Sequence, residues 1–481
     1  MTASLSTEDA LAQYNTAPVS WTGDYVPVVV NDPRMTNQLS SAGDPYALVA
    51  SRRNLPWLGN MFGSNANSAQ IVGPAANSPN TSGGSPLLGG GAGFRGDGPS
   101  LWTQSPWIGN GNLFPNAYGA VNQRLWLRGE WLLWDTKAME TPPLVTASSA
   151  GTPRETAAVL GESDTAVLFG GRQINGDTVS GFRLGGGFWI TPQQNFAVEA
   201  EYFQLAEQDD GIRGGSDGSA ILGRPFFDIV AGQETAQLIS YPGVVAGNGS
   251  VETATNLRSI LFNGRAALCP SNGTCCNTCG IPDRVDWILG YRHMQLDDTI
   301  TIRENLRSLL TSAPGTIALT DRFYTENEFH GMQLGVAHRA NFQRAWLESM
   351  LRVALGVNQQ TVRISGSNTI TEAGLTDTLS GGLLAQRTNS GNHERDKFTM
   401  IPEVTTRLGI RLTQSLHATV GYSVIYFPNV VRAGDHIDTD VNPGLIPPEA
   451  VPLTGALRPR FRFVETDYWA HGLTLGGEWA F

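Results

Sequence analysis

The C-terminal stretch 463–481, FVETDYWAHGLTLGGEWAF, decides the fold. Apolar or aromatic side chains fall at Trp469, Leu473, Leu475, Trp479 and Phe481, two or four residues apart. Thr474, Gly476 and Glu478 occupy the other parity. This period of two predicts a strand with one apolar and one polar face.

The same strand ends on an aromatic residue at the carboxyl terminus, as the closing strands of bacterial outer-membrane barrels do. We therefore predict that it closes a barrel. Trp479 and Phe481 are then the signal that the barrel assembly machinery reads, and the outer-membrane lipid is the surrounding partner.

The composition is typical of a barrel rather than a water-soluble domain. Among 481 residues there are 56 Gly and 27 Pro, and only 16% are charged, against about 25% in an average soluble protein. No apolar run approaches the roughly 18 residues of a spanning helix. The net charge of −11 argues against nucleic acid as a partner. Homo-oligomerisation is left open.

Alternating patterns predict an all-β, up-and-down antiparallel barrel of about ten strands, with twelve as the alternative. The strands fall at 124–134, 180–190, 195–205, within 249–268, and at 284–296, 328–339, 346–357, 398–413, 416–427 and 463–481. Short turns alternate with long loops at 135–179, 206–248, 297–322, 359–394 and 429–462. Strand-like runs inside some of these loops suggest strands that extend above the bilayer.

Charged side chains share the strand face opposite the apolar one. A charge facing lipid would cost about 2–4 kcal/mol at the membrane midplane, so these side chains should face the lumen. The predicted lumen-lining charges are Arg128, Glu130, Arg183, Glu199, Glu201, Arg292, Glu348, Arg352, Glu403, Arg407, Arg411 and Glu478. In a barrel of about ten strands they either pair and fill the lumen or line a narrow pore.

Aromatic residues near the predicted strand ends suggest the interfacial girdles of a membrane barrel. They are Trp126, Trp134, Trp189, Tyr202, Trp287, Tyr422, Tyr426 and Trp469. Trp126, Trp134 and Trp189 fall on the inward parity and therefore conflict with a lipid-facing role.

Residues 1–120 form a separate region, rich in Asn, Ser, Gly and Pro, that precedes the barrel at 121–481. It has too few apolar residues to offset the entropy of ordering, so we predict a flexible arm. A lumen plug or a surface-binding segment is the alternative. The first fifteen residues contain no recognisable secretory signal.

Four cysteines, Cys269, Cys275, Cys276 and Cys279, lie in one short segment. Four thiolates could hold zinc, but an even number outside the cytoplasm favours disulfides. A bond between the adjacent Cys275 and Cys276 would be strained. We predict that Cys269 pairs with one of these two and Cys279 with the other.

Two further motifs could carry chemistry. In AGDHIDTDVNP, Asp435, Asp438, Asp440 and Asn442 offer calcium ligands, although a solvated loop fits the spacing better. Glu328 and His330, with Asp297 and Asp298 nearby, could form a hydrolase site at the barrel rim. The chance frequency of such pairs favours a non-enzyme. We predict no catalytic residue, no metal and no cofactor.

Several stretches resemble, in order, the Putative beta-barrel porin-7 family, outer-membrane proteins found chiefly in planctomycete bacteria. They are GEWLLWDTKAMETPPLVTAS, TAVLFGG, LGRPFFD, ILGYRHMQLDDTITI, DRFYTENEFHGMQLGV, FTMIPEVTTRLGI, YFPNVVRAGDHIDTDVNP and the closing strand. The resemblance implies an outer-membrane barrel and supplies neither a substrate nor catalytic residues. We predict a porin-like barrel that acts as a narrow pore or as a scaffold for surface loops. The alternatives are a non-conducting structural or adhesive surface protein and, last, a hydrolase.

Overall fold

The structure is a computed structural model that describes residues 49–50, 124–269 and 283–481. Within these ranges the regular structure consists of β-strands and two short 3-10 helices, joined by turns and loops. No helix among the described residues is long and apolar enough to cross a membrane. The arm predicted at 1–120 lies outside the described residues except for Val49 and Ala50, which form the two-residue strand β1.

Ten antiparallel strands close into a barrel, which confirms the predicted fold class and strand number. In chain order they are β2 (Leu125–Thr136), β7 (Val179–Trp189), β8 (Phe196–Leu205), β12 (Val245–Cys269), β13 (Asp283–Ser308), β14 (Gly315–Asn341), β15 (Ala345–Glu372), β17 (Gly391–Arg411), β18 (Leu416–Val430) and β20 (Thr466–Ala480). Each strand pairs with its neighbour in this order, and β8 pairs with β12.

The shorter elements lie between the barrel strands. They are β3 (Met139–Thr141), β4 (Val145–Ser148), β5 (Thr165–Phe169), β6 (Arg172–Ile174), β9 (Gln208–Ser216), β10 (Ile221–Asp228), β11 (Gln233–Ser240), β16 (Leu375–Ser380), β19 (Asp440–Val441), and the 3-10 helices η1 (Gly434–His436) and η2 (Pro443–Leu445). β9 continues the line of β8 along β12, and β1 pairs with β9.

The C-terminal strand β20 closes the barrel on β2, as the sequence predicts. Arg128 lies opposite Glu478 in the register, and Nη2 of Arg128 is 2.5 Å from Oε2 of Glu478. The last residue completes the seam, because the Phe481 amide donates to the carbonyl of Leu125 at 2.8 Å. The polar face of the closing strand therefore forms an ion pair inside the seam, while Trp479 and Phe481 stack outside it at 5.0 Å.

The two ends of the barrel differ. At one, which we call the turn end, short connections join β7 to β8, β14 to β15 and β17 to β18; the opposite end is the loop end. The predicted loop at 297–322 is too long: β13 runs to Ser308 and β14 begins at Gly315, so the strand-like run within this range is an extension of the strands. Alternation at Ile300, Ile302 and Leu306 keeps burying side chains, so the strands continue.

A belt of exposed apolar side chains surrounds the half of the barrel nearer the turn end. It includes Leu127, Leu184, Val198, Trp287, Leu289, Tyr291, Met332, Leu334, Leu351, Met400, Tyr422, Tyr426 and Leu475. An outer band of this kind about 25 Å tall is typical of a lipid-facing surface. β14 has 27 residues and at about 3.4 Å per residue extends roughly 90 Å, far beyond such a band.

At the loop end, residues 137–178, 217–244, 381–390 and 431–465 fold into a compact unit, which we call the head. Its core strands run in the order β11, β10, β4, β5, and β19 adds to β10 in parallel. Buried residues of the head, such as Leu222, Phe226 and Leu384, share one apolar cluster with inward residues of β13, β14 and β15. The head therefore packs against the inner face of the extended strands.

Candidate functional site

The feature with the most chemistry is a layer of charged side chains inside the barrel at the level of the apolar belt. We call it the lumen cluster. Its members project from all ten barrel strands because alternation places every second residue inward. They are Arg128, Glu130, Arg183, Glu199, Glu201, Arg265, Arg284, Asp286, Arg292, Arg339, Glu348, Arg352, Glu403, Arg407, His417 and Glu478.

Glu403 in β17 lies at the centre of the lumen cluster. One of its oxygens accepts from Arg352 and the other from Arg292, both in charge-assisted contacts. Nη2 of Arg352 is also 3.2 Å from Oε1 of Glu201 in β8. β8 and β15 are four strands apart around the barrel, so the Glu201–Arg352 pair crosses the lumen.

Glu130 forms a second bridge across the lumen. Its Oε1 accepts from Nε of Arg407 at 2.7 Å and its Oε2 lies 3.4 Å from Nη1 of Arg183. Arg407 is also 3.7 Å from Glu348. Glu130, Arg183 and Arg407 are at most 4% exposed. Opposite charges therefore neutralise each other in the middle of the barrel, as unpaired buried charges would be expensive.

Towards the turn end the same network continues from Glu348. Arg265 donates to Glu348 at 2.8 Å and to Asp286 at 2.7 Å. Arg284 donates to the same Asp286 at 2.8 Å. Each carboxylate of this part thus has at least one guanidinium partner, and the ion pairs extend without a break to the seam at Glu478 through Arg128.

Of the twelve charges predicted for the lumen, the structure brings eleven into the cluster. Arg411 is the exception: it is the last residue of β17 and donates to the Gln343 carbonyl at 3.2 Å in a turn. The sequence analysis did not identify five members: Arg265, Arg284, Asp286, Arg339 and His417. Arg284 and Asp286 share the parity of Arg292, so the signal was present, whereas the strand containing Arg265 was placed only within 249–268.

Above the lumen cluster, towards the loop end, the barrel interior turns apolar. This layer includes Leu132, Trp134, Phe203, Met294, Leu296, Phe329, Ile401, Ile425, Phe427 and Tyr468, all buried. Arg183 lies over the Trp134 ring at 5.2 Å and over Phe203 at 5.5 Å, joining the two layers. Trp134 is thus an interior residue, in agreement with its parity and not with the predicted girdle, whereas Trp287, Tyr422 and Tyr426 are exposed outside.

The head is fixed to the barrel wall by buried ion pairs. Arg224 in β10 contacts Glu304 of β13 and lies 2.7 Å from Asp321 of β14. Arg432 donates to Asp298 at 2.5 Å. Burial raises the pKa of Glu304, against the lowering by the neighbouring Arg224. These carboxylates are buried by the head, so they depend on its two arginines for neutralisation.

Inward amide side chains hold the start of the last loop. Asn327 donates to and accepts from the main chain of Val431, each at 2.8 Å. Asn358 and Gln360 both donate to the carbonyl of Asn429, at 2.9 and 2.6 Å. The loop after β18 is therefore drawn inward over the barrel mouth.

The calcium and hydrolase sites raised as alternatives by the sequence are not assembled among the described residues. Asp438 and Asp440 pair with Arg458 at 3.0 and 3.3 Å, and Asn442 binds main-chain groups, so this loop is not arranged as a calcium site. Asp298 faces inward to Arg432, away from the outward Glu328 and His330. Cys275, Cys276 and Cys279 lie outside the described residues, as does the Cys269 side chain, and the disulfides stay a prediction.

Three solved structures resemble this chain weakly. The outer membrane protease OmpT from Escherichia coli is 9% identical with a TM-score of 0.36, covering 75% of this chain and 98% of that chain. A Pseudomonas aeruginosa FadL homologue is 8% identical with a TM-score of 0.20, covering 74% and 90%. The TodX deltaS2S3 mutant monoaromatic hydrocarbon channel is 7% identical, with a TM-score of 0.16 and the same coverage. Similarity this low does not indicate that this chain shares the activity or the transport function of these proteins.

No curated protein sequence matches the chain. The sequence model of the family described as Putative beta barrel porin-7 matches residues 126–481, from the second residue of β2 to the C-terminus. That range includes the whole closed barrel and the described head. The chain belongs to the Putative beta barrel porin-7 family.

Proposed function

We propose that the protein is an outer-membrane barrel that holds its head at the cell surface and does not conduct ions. In outer-membrane barrels the short turns face the periplasm and the long loops face outside. On that orientation the head is extracellular and the apolar belt lies in lipid. The finer prediction of a scaffold for surface loops fits this arrangement better than that of a pore.

The observation that carries the proposal is the set of ion pairs across the lumen. Removing an ion from water costs several kcal/mol, and close pairing offsets that cost. Glu130, Glu201, Arg352, Glu403 and Arg407 are all nine-tenths or more buried, so water has little access to them. Together with the apolar layer above, these side chains fill the barrel as expected near eight strands, well below the 16–18 strands of a porin channel.

Planar-bilayer recording of the refolded protein tests the proposal. We expect no steady single-channel current from the wild type. Arg352→Ala should raise ion leakage, because it leaves Glu201 and Glu403 short of a partner and makes space for water. Arg411→Ala is the matched control, since Arg411 lies in a turn outside the lumen cluster. A steady, nanosiemens-scale current from the wild type would overturn the proposal and favour a diffusion porin.

A narrow pore is the second candidate, favoured by the charged character of the lumen. It predicts small wild-type currents whose cation-to-anion selectivity changes in Arg352→Ala, whereas a closed barrel has no current to select. We retain the prediction of a non-enzyme. Outer-membrane lipid and the barrel assembly machinery are the partners that this proposal requires.

A further inference from the structure

Three potential metal ligands meet on the outer face of the barrel, just beyond the apolar belt on its loop-end side. His293 in β13 and His330 in β14 are direct cross-strand partners. Glu328 precedes His330 by two residues and therefore shares its face. One ligand atom from each of the three lies within 4.8 Å of the others.

We propose that His293, Glu328 and His330 bind a divalent transition-metal ion of the zinc class. Two imidazoles and one carboxylate form a donor set suited to zinc, nickel or copper and poorly suited to calcium or magnesium. Nε2 of His330 is 3.1 Å from Oε1 of Glu328, and Nδ1 of His293 is 3.9 Å from the same oxygen. Ligands around zinc are about 3.4 Å apart, given bonds of about 2.1 Å in a tetrahedron, so small side-chain shifts complete the site.

Two features beyond proximity point to an ion. Nδ1 of His293 is shielded from solvent and has no hydrogen-bond partner among the described residues, which is costly for a buried polar atom. Nδ1 of His330 is 2.5 Å from the hydroxyl oxygen of Tyr291. When Nε2 binds an ion, the Nδ1–H can donate to Tyr291, and such a hydrogen bond fixes the ring and tautomer of a metal-binding histidine.

A second histidine on the outer face, His471, makes a similar contact with a tyrosine but, among the described residues, lacks the additional ligands of the proposed site. His471 in β20 has its Nδ1 2.7 Å from the Tyr422 hydroxyl, as His330 has with Tyr291. However, His471 belongs to no group of three close ligands within the described ranges. It therefore provides a matched control: the same residue type, the same tyrosine contact and the same outer face.

Copper and zinc binding to the refolded, untagged, non-reduced protein tests the proposal. We expect one Cu²⁺ per chain, with nitrogen hyperfine splitting from two imidazoles in its electron paramagnetic resonance spectrum, and displacement of bound Zn²⁺ by one equivalent of Cu²⁺, because copper binds such a site more tightly than zinc. His293→Ala and His330→Ala should each weaken Zn²⁺ binding at least tenfold. Glu328→Gln, which preserves shape, should weaken it less, and His471→Ala should leave it unchanged.

Heat-modifiable migration in gel electrophoresis establishes that each variant is folded before metal is added. Sulfur ligation in the spectrum would assign the metal to the cysteine segment and overturn the proposal. Unchanged affinity in a His293→Ala/His330→Ala double variant would also overturn it, and so would a wild-type Kd for Zn²⁺ weaker than about 1 mM.

Discussion

Arg224, in a strand of the head, has its Nη2 2.7 Å from Oδ2 of Asp321 in barrel strand β14. Its Nη1 contacts Glu304 of β13, and all three side chains are no more than 1% exposed. The head and the wall of the barrel are thus joined by one buried guanidinium between two carboxylates. Gln237 adds a neutral hydrogen bond to Glu304 at 3.1 Å, and the Arg432–Asp298 pair is the second charged contact between the head and the wall.

Arg224→Met should loosen the head. The change leaves two buried carboxylates without their cation, a loss that typically costs about 3–5 kcal/mol. We expect amide hydrogen exchange in β10 and β11 to accelerate a hundredfold or more while exchange in β17 and β18 stays unchanged. Adding Glu304→Gln and Asp321→Asn should recover protection, because both amides keep an acceptor oxygen. Equal exchange in Arg224→Met and the triple variant would contradict this account.

The head should lose stability as the pH falls below about 6.5. His436 has its Nδ1 2.8 Å from the Arg432 carbonyl, so Nδ1–H donates and Nε2 faces the Val464 amide at 3.4 Å. Burial lowers the pKa of His436 below its ordinary value of about 6.5. At a pH between the lowered pKa of His436 in the folded head and its ordinary pKa in the unfolded chain, the unfolded chain binds a proton that the folded head does not. Stability is therefore full above about pH 6.5 and declines on acidification.

Limited proteolysis of the head at pH 7.5 and pH 5.0 measures this effect. His436→Gln should reduce the difference between the two pH values. His393→Gln is the control, because His393 stacks on Phe461 at 3.6 Å in the same region. If the difference between the two pH values persists in His436→Gln and vanishes in His393→Gln, then His393 and not His436 causes the pH dependence.

Phe481→Ser should impair assembly in cells more than stability. The Phe481 ring is 46% exposed and stacks on Trp479, whereas its main chain forms the seam hydrogen bonds that any residue can form. We expect little change in urea unfolding of refolded protein and a clear fall in the folded fraction recovered from outer membranes. Leu412→Ser, on an equally exposed side chain at the turn end, is the control. An equal fall in the recovered folded fraction of both variants would show that Phe481 is not an assembly signal.

Thiol labelling of unfolded, non-reduced protein should detect no free cysteine. This prediction follows from the sequence, because four cysteines in an oxidising compartment, Cys269, Cys275, Cys276 and Cys279, are expected to form two disulfides. Mass spectrometry of proteolytic fragments then gives the connectivity. Four reactive thiols with bound zinc would establish the metal alternative instead.

Alternation predicted most of the barrel strands, because each strand must separate an outer apolar face from an inner polar one. The closing strand and the face of Glu403 and Arg407 followed directly from this pattern. β13 shows where the rule fails: after Arg292, the inward positions Met294, Leu296, Ile300 and Ile302 are apolar. A strand whose inner face packs against the head has apolar residues on that face and loses the alternation of apolar and polar residues. Its sequence therefore resembles a loop that contains a short strand-like run.

The contacts between distant segments could not be predicted. Nothing local in LGRPFFD indicates that Arg224 binds two carboxylates about 80 and 97 residues further on. His293 and His330 likewise become partners only through the register of β13 and β14, which depends on the length of the connection between them. The sequence shows which face of a strand each charged residue occupies. The partner of each charged residue depends on the register between the strands, which the sequence does not show.

The parallel pairing of β19 with β10 links the last strand of the head sheet to the last strand of the barrel. β19 comes from the loop that immediately precedes β20, so segment 429–481 supplies both the last strand of the head sheet and the strand that seals the barrel. A chain that stops before this segment has an open edge in the barrel sheet and an unfinished head sheet. Completion of the head sheet and closure of the barrel wall thereby both depend on the same C-terminal segment.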